Sequence, residues 1–416
     1  MPVTENNLPR RQAAVVFLVF ATAYFLSALL RAVTATLAPT LSAELDLDSG
    51  DLGLLAGGYF LGFAAMQLPL GRWLDRHGPR VVIVAFLSVA VLGCALFAWA
   101  TSFSGLLAAR VLTGAGVSAC LMAALTGYRR WFTPAMQLRA NSWMLMTGSM
   151  GMVAATLPVQ WLVPIVGWRG LFWVLSAGLL LAMVLLYRVV PGWSTRSMPA
   201  MPPSSEPAPR AGGYADVWRH PYFRKMAPVG FINYGGMLAI QTLWAGPWLV
   251  DVAGMTPAQS AAGLFGINLA MLLTFWCWGW ITPIMARRQL RVETLMAWCI
   301  PAAMAVLLVT VLSGSATHWG HWALFCVLST GMSLAQPAVA QAFPAAMAGR
   351  ALSAYNLVIF AGIFTVQWVL GLLIDGFERA GLPTPDAFRA TFASYLGLCA
   401  LAYAYFLLIK AHNRPS

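Results

Sequence analysis

The chain has 416 residues, of which 60% are hydrophobic and only 9% charged, with a formal net charge of +12. A soluble globular domain carries about a quarter of its residues as charges, so that class is excluded. The six cysteines (94, 120, 277, 299, 326 and 399) form no CxxC pair and all lie in apolar runs, which gives no reading of a disulfide framework or a metal site.

Apolar runs near 20 residues, each long enough for a hydrocarbon core of about 30 Å, recur twelve times. They cover 13–39, 52–73, 81–101, 103–127, 141–165, 170–191, 226–251, 258–283, 293–313, 321–346, 351–374 and 388–410. Contiguous apolarity at this length lacks the alternation of a barrel strand, so the runs predict helices and an all-α integral membrane protein. The first run is too long for a cleaved signal peptide and reads as a retained anchor. Pro191–Gly212, rich in Pro, Ser, Gly and Met, divides the runs six and six. The expected organisation is an N-terminal half over 1–190, a linker with an amphipathic segment over 191–225, and a C-terminal half over 226–416. Faint echoes support two pseudo-symmetric halves: Val111-Leu-Thr-Gly answers Val327-Leu-Ser-Thr-Gly.

In run 1, Tyr24, Ser27, Arg31 and Thr34 follow i, i+3, i+7, i+10 and share one helix face. Arg31 sits about five residues from the centre of its run, roughly 7–8 Å from the midplane, and Arg110 is similarly placed in run 4. A charge at that depth costs at least ~2.5 kcal/mol unless it meets water or a partner. No Asp, Glu or His lies in the central part of any run. Two deep cations without a protein anion predict a hydrated, positive cavity, with an anionic solute as counter-charge. Each arginine also has a structural reading: Arg110 can bond span 1, and Arg31 can snorkel to the interface. Tyr59 comes out at a comparable depth in run 2, and Gly58, Gly62, Gly114 and Gly116 permit close helix contact. Run 7 adds Asn233, Tyr234, Gln241 and Trp244, run 8 Asn268, and run 11 Asn356 and Gln367. Such amides serve as helix–helix hydrogen bonds or as ligand contacts.

Between runs 2 and 3 lies Gly71-Arg-Trp-Leu-Asp75-Arg76-His-Gly78-Pro-Arg80, a charged loop where lipid meets water. Gly71 would let two helices approach, and Gly78 suits a turn with positive φ. Asp75 offers an acceptor to a neighbouring helix N-terminus. This G-x-x-x-D-R-x-G-x-R pattern resembles the signature loop of the major facilitator superfamily of secondary transporters. The resemblance extends over the twelve runs and the central linker, and Arg110-x-x-x-Gly114-x-Gly116 is similar to that family's fourth-helix motif. It implies the major facilitator fold and alternating access, with a latch of Gly71, Asp75, Arg76, Gly78, Arg80 and Arg350 closing near Ala351–Ser353. Organic-anion carriers of the superfamily often place an arginine and a small polar stretch in helix 1, which Arg31-Ala-Val-Thr-Ala-Thr resembles. Run 5 offers only Gly148-Ser-Met-Gly151 where drug/proton antiporters carry a longer glycine–proline motif, which argues against drug efflux.

Charge asymmetry orients the chain. With a cytoplasmic N-terminus, 20 of the 25 basic residues fall on inside segments, while most acids fall outside. That is the positive-inside rule, and it predicts an inner-membrane protein with both termini cytoplasmic. A nucleic-acid surface would gather the charge on one face, and no nucleic acid is expected.

The expected function is secondary transport of a small carboxylate-like anion through the lipid bilayer. Arg31, with Arg110, would bind its charged end, and Tyr24, Tyr59, Gln241 and Trp244 would shape the remainder. Proton symport, uniport and anion exchange all remain open. Rival readings are drug efflux, a copper carrier using Met146 and Met150, and a non-transporting sensor, for which the short tails offer no signalling domain. No P-loop, nucleophile–base set or cofactor motif is present, so neither an enzyme nor ATP-driven transport is expected, and the carrier is expected to act as a monomer.

Overall fold

A computed structural model describes residues 8–192, 213–288 and 290–409, and every regular element among them is helical. The expected linker residues 193–212, and with them Arg196 and Arg210, lie outside the described residues, as do Lys410 and Arg414. Nine stretches are long and apolar enough to cross a membrane unbroken among the described residues. Three further crossings are cut into shorter pieces, which brings the total to twelve in two six-helix halves. Span 2 is Ser49–Ala65, interrupted at Met66 and continued by the start of Gln67–Trp99. Span 5 is Pro134–Ala154, continued by the start of Leu157–Val189. Span 7 starts at Pro221–Pro228, ahead of the expected 226, and runs to Trp248–Val252 through alternating α and π turns. The unbroken spans are 1 (Arg10–Leu45), 4 (Phe103–Trp131), 8 (Pro257–Arg287), 9 (Val292–Ser313), 10 (Trp319–Gln341), 11 (Ala345–Arg379) and 12 (Thr384–Leu408). Spans 3 and 6 are the latter parts of Gln67–Trp99 and Leu157–Val189.

Local chemistry sets the boundaries. The Asp48 carboxylate accepts the Asp51 amide at 2.7 Å and caps span 2, and the Ser102 hydroxyl caps span 4 through Gly105 at 3.3 Å. Gly78 (φ 77°) and Gly167 (φ 69°) separate spans 2 from 3 and 5 from 6, and both need the positive φ that a side chain resists. Span 1 runs on past the expected residue 39 to Leu45, with Pro39 tolerated inside it. Arg31 therefore stands closer to the middle of its helix than the apolar run implied, 14 residues (about 21 Å) short of Leu45.

Span 2 is held at backbone distance on two sides. A methyl added at Gly62 would strike the Val111 carbonyl, and one at Gly114 would strike the Tyr59 carbonyl. Spans 2 and 4 thus touch main chain to main chain. On its other face, Gly50, Gly53 and Gly57 meet Asp375, the Gln367 backbone and Phe364 of span 11, and Gly371 meets the Ser49 carbonyl. Spans 1 and 7 meet where Gly246 lies 2.8 Å from the Ala35 carbonyl, measured from a built Cβ, and span 5 packs on span 8. The halves therefore join through 2–11, 1–7 and 5–8. Gly71 plays no such part: nothing lies within 4 Å of its built Cβ, so the close approach expected there is not made. That role falls to the glycines of spans 2 and 4.

Because no rotamer relieves a clash with backbone, Gly114→Val is expected to destabilise the protein by at least about 1–3 kcal/mol. Gly71→Ala, set in open space, should leave the unfolding temperature in detergent within a degree or two of wild type. A thermal melt of both variants checks the pair.

Candidate functional site

Arg31 is the focus of the interior. Span 1 brings it, half-buried, between Phe63 of span 2 (5.7 Å from guanidinium carbon to ring centroid) and Phe360 of span 11 (6.0 Å). Those two rings, one from each half, lie 4.2 Å apart. The ionisable neighbours of the guanidinium among the described residues are the hydroxyls of Tyr59, Tyr24 and Tyr234 and the Cys120 thiol, and no carboxylate is among them. Its Nε is buried and meets no hydrogen-bond acceptor. Aromatic faces attract a cation but offset only part of its lost hydration.

Tyr59 is itself fully buried, and its hydroxyl donates to the Ser27 carbonyl at 3.0 Å. That bond ties span 2 to the turn of span 1 that precedes Arg31. Tyr24 is held from behind by Gly148 of span 5, whose built Cβ lies 2.6 Å from the tyrosine ring. The short Gly148-Ser-Met-Gly151 run thus serves packing against span 1, with Gly151 set against the Phe25 carbonyl.

Arg110 differs from Arg31. It is 1% exposed, stands 5.3 Å from the Tyr59 ring centroid, and donates through Nη1 to the Leu30 carbonyl at 3.1 Å. Its Nε and Nη2 are buried without partners. The structure places it behind span 1, holding the peptide next to Arg31. Of the two arginines, Arg31 alone retains solvent exposure.

The C-terminal half contributes mostly ties between helices. Gln241 donates to the Asn268 side-chain oxygen at 3.1 Å, leaving its own Oε1 buried and unpartnered. Trp244 is fully buried, and its indole N–H donates to the Gln367 carbonyl at 3.0 Å. Gln367 donates to the Thr242 hydroxyl at 2.9 Å, and Asn356 accepts from Gln336 at 3.0 Å. Trp244 therefore fastens span 7 to span 11. Tyr234 is the span 7 residue that reaches the arginine.

The face bearing the 1–2 turn is closed. Asp375, 5% exposed at the end of span 11, accepts the backbone N–H of Ser49 at 3.0 Å and of Gly50 at 2.8 Å. Its carboxylate thereby caps the first turn of span 2 from the opposite half, where the helix dipole favours negative charge. Arg379 and Asp48 pair at 3.6 Å across the same seam, but both are exposed and contribute little. Glu44 accepts from the Trp168 indole at 2.6 Å and from Arg169. At the opposite face, Asp75 and Arg76 are exposed, and Arg80 stands over the Tyr187 ring at 4.5 Å. Among the described residues no ion pair reaches Asp75. Asp75 is thus without an ion-pair partner among the described residues, while the other face is clamped.

Phe63, Phe360 and Asp375 went unread in the sequence. The aromatic pair carried no signal above ordinary packing. Asp375 did carry one: Gly50, Gly53 and Gly57 form an i, i+3, i+7 stripe separate from Gly58 and Gly62, which marks a second close helix contact for span 2.

The sequence model described as Major Facilitator Superfamily matches residues 20–367. The chain is similar to the 4-hydroxybenzoate transporter PcaK of Pseudomonas aeruginosa, 30% identical over 168 residues, 40% of this chain and 37% of that protein. It is also similar to the inner membrane transport protein YajR of Escherichia coli, 26% identical over 348 residues, 80% of this chain and 71% of that one. Among solved structures, an inward-facing, unoccupied bacterial homologue of the human lysosomal transporter Spinster superposes with a TM-score of 0.75 at 18% identity, covering 97% of this chain and 98% of that one.

Removing the cap across the seam should loosen the clamped face. Each hydrogen bond to a charged group is worth about 1.5–3 kcal/mol, so Asp375→Ala is expected to shift the population towards opening there. Spin labels at Ala43 and Ala380, on opposite sides of the seam, should then report a longer and broader distance distribution. Arg110→Met should lower thermal stability and maximal transport rate yet leave the apparent affinity for solute within about threefold, because the lost bond orients span 1 and does not touch solute.

Proposed function

The chain belongs to the major facilitator superfamily, and from that premise we propose that it moves a small organic anion, a carboxylate in class, by alternating access. One observation carries this reading: Arg31 is a half-buried cation inside the helix bundle with three tyrosines and two phenylalanines around it and, among the described residues, no carboxylate beside it. A solute carboxylate would supply the missing counter-charge through charge-assisted hydrogen bonds to the guanidinium fork. Tyr24 and Tyr234 would contact the rest of the solute, and Tyr59 and Arg110 would hold Arg31's helix in place. The similarity to a 4-hydroxybenzoate transporter supports an organic acid as cargo.

We further propose that the clamped face is periplasmic and that the face of Arg76, Arg80 and Arg350 is cytoplasmic in an inner membrane. Support comes from the 20 of 25 basic residues on that side. The structure would then correspond to an inward-facing stage, with Asp375 locking the outer face and Asp75, within the latch of Gly71, Asp75, Arg76, Gly78, Arg80 and Arg350, not ion-paired. Closing the latch while the Asp375 cap lets go would be the bistable exchange. Proton symport is the coupling we favour. With no carboxylate beside Arg31, the proton would travel on the solute itself or through Asp51 or Asp251 near the outer face.

Binding and uptake in proteoliposomes test this, with labelled monocarboxylates, dicarboxylates and organic cations offered to wild type, Arg31→Lys and Arg31→Ala. Losing hydrogen bonds to a charged group should weaken carboxylate binding about 10- to 150-fold in the alanine variant. The lysine variant should fall between, since it keeps the charge and loses the fork. Undiminished uptake by Arg31→Ala would remove the binding site, and equal uptake of organic cations would remove the substrate class.

A further inference from the structure

A groove of about 580 Å³ opens on the outer surface of the N-terminal half, between the end of span 2 and spans 3 and 4. Trp73, His77, Val81, Ala85, Val89 and Ala115 are among its lining, and Val81 is 58% exposed. From Val81 to Val89 it runs eight residues, about 12 Å, into the membrane. An ordinary lipid-facing surface is a row of side-chain ridges. Here the small residues Ala85 and Ala115 stand among the larger side chains of the lining and leave a notch. Its mouth is basic: Arg72 and Arg76 are exposed on the same helix as Trp73 and His77, and Arg80 follows the Gly78 turn beside Val81. Asp75 is exposed on that helix too, and like Arg72, Arg76 and Arg80 it flanks the groove without lining it, so the rim carries three cations against one carboxylate.

We propose that this groove is a binding site for one anionic phospholipid, its acyl chain in the notch and its phosphate held at the mouth by Arg72 with Arg76. Basic mouths at the cytoplasmic ends of membrane helices attract anionic headgroups, and guanidinium forks match phosphate oxygens. The apolar wall excludes a soluble anion as occupant, since only an amphiphile satisfies both ends. The consequence reaches the gating loop. Trp73 and His77 belong to the same helical segment as Asp75, which ends at the Gly78 hinge, and Trp73 packs edge-on against Phe86 at 5.7 Å. A seated chain braces that segment and biases the loop, so lipid composition tunes the conformational equilibrium without any contact at Arg31.

Native mass spectrometry of the detergent-purified full chain tests the site, with phosphatidylglycerol or phosphatidylcholine of identical chains added. Wild type should retain one phosphatidylglycerol at concentrations at least about tenfold below those needed for phosphatidylcholine. Ala85→Trp, which fills the notch, should weaken that retention by about tenfold or more. Arg72→Gln should bring the two lipids to within about threefold of each other. Equal retention of both lipids by wild type, or unchanged retention by Ala85→Trp, overturns the proposal. Should Ala85→Trp fail to fold, acyl-brominated phosphatidylglycerol decides it. The brominated lipid is expected to quench wild-type fluorescence more than that of Trp73→Phe, and equal quenching overturns the site.

Discussion

The constraint on which this molecule depends is the approach of span 2 to two neighbours at backbone distance. Gly58 and Gly62 admit span 4 on one side, and Gly50, Gly53 and Gly57 admit span 11 on the other. In a bilayer there is no hydrophobic gain from pressing apolar helices together, so close van der Waals contact does that work. One contact lies within a half, the other joins the halves. The same helix can therefore be a fixed wall of its own bundle and a sliding surface against the opposite one.

That placement explains the chemistry at the centre. Tyr59 and Phe63 follow the glycine stripes and are delivered to Arg31 by the helix the glycines position, while Phe360 arrives from span 11 at the matching depth. Arg110 reaches past Gly114 to the Leu30 carbonyl and steadies the peptide beside Arg31. A cation is thus presented by packing, with aromatic faces around it and, among the described residues, no acid beside it to neutralise it. The glycine contacts supply the geometry in which that charge is presented. Since walls from both halves meet at Arg31, a solute bound there would touch both bodies that must move.

Much of this was legible along the chain. Hydrophobic length alone dictates helices, since a bilayer core leaves backbone groups no other partner. The depth of Arg31 and the absence of central acids were also readable, because both depend on position along a single helix. What misled was any inference needing a neighbour. The Trp244 N–H and the Gln241 amide nitrogen donate to Gln367 and Asn268 on adjacent helices, partners that a one-dimensional reading does not supply. Gly71 looked like a contact and faces open space.

The sequence by itself therefore determined that this is a twelve-span helical membrane protein with an uncompensated interior charge, and its glycine spacing marked which helix faces would be close. Tertiary structure decided which arginine keeps an exposed face, which rings surround it, and that Asp375 of one half caps the first turn of span 2 in the other. The physical reason is one of range. Span length, charge depth and stripe spacing are properties of a local helix, whereas a partner for a hydrogen bond or a cation is set by residues tens to hundreds of positions away, brought together only when the helices pack.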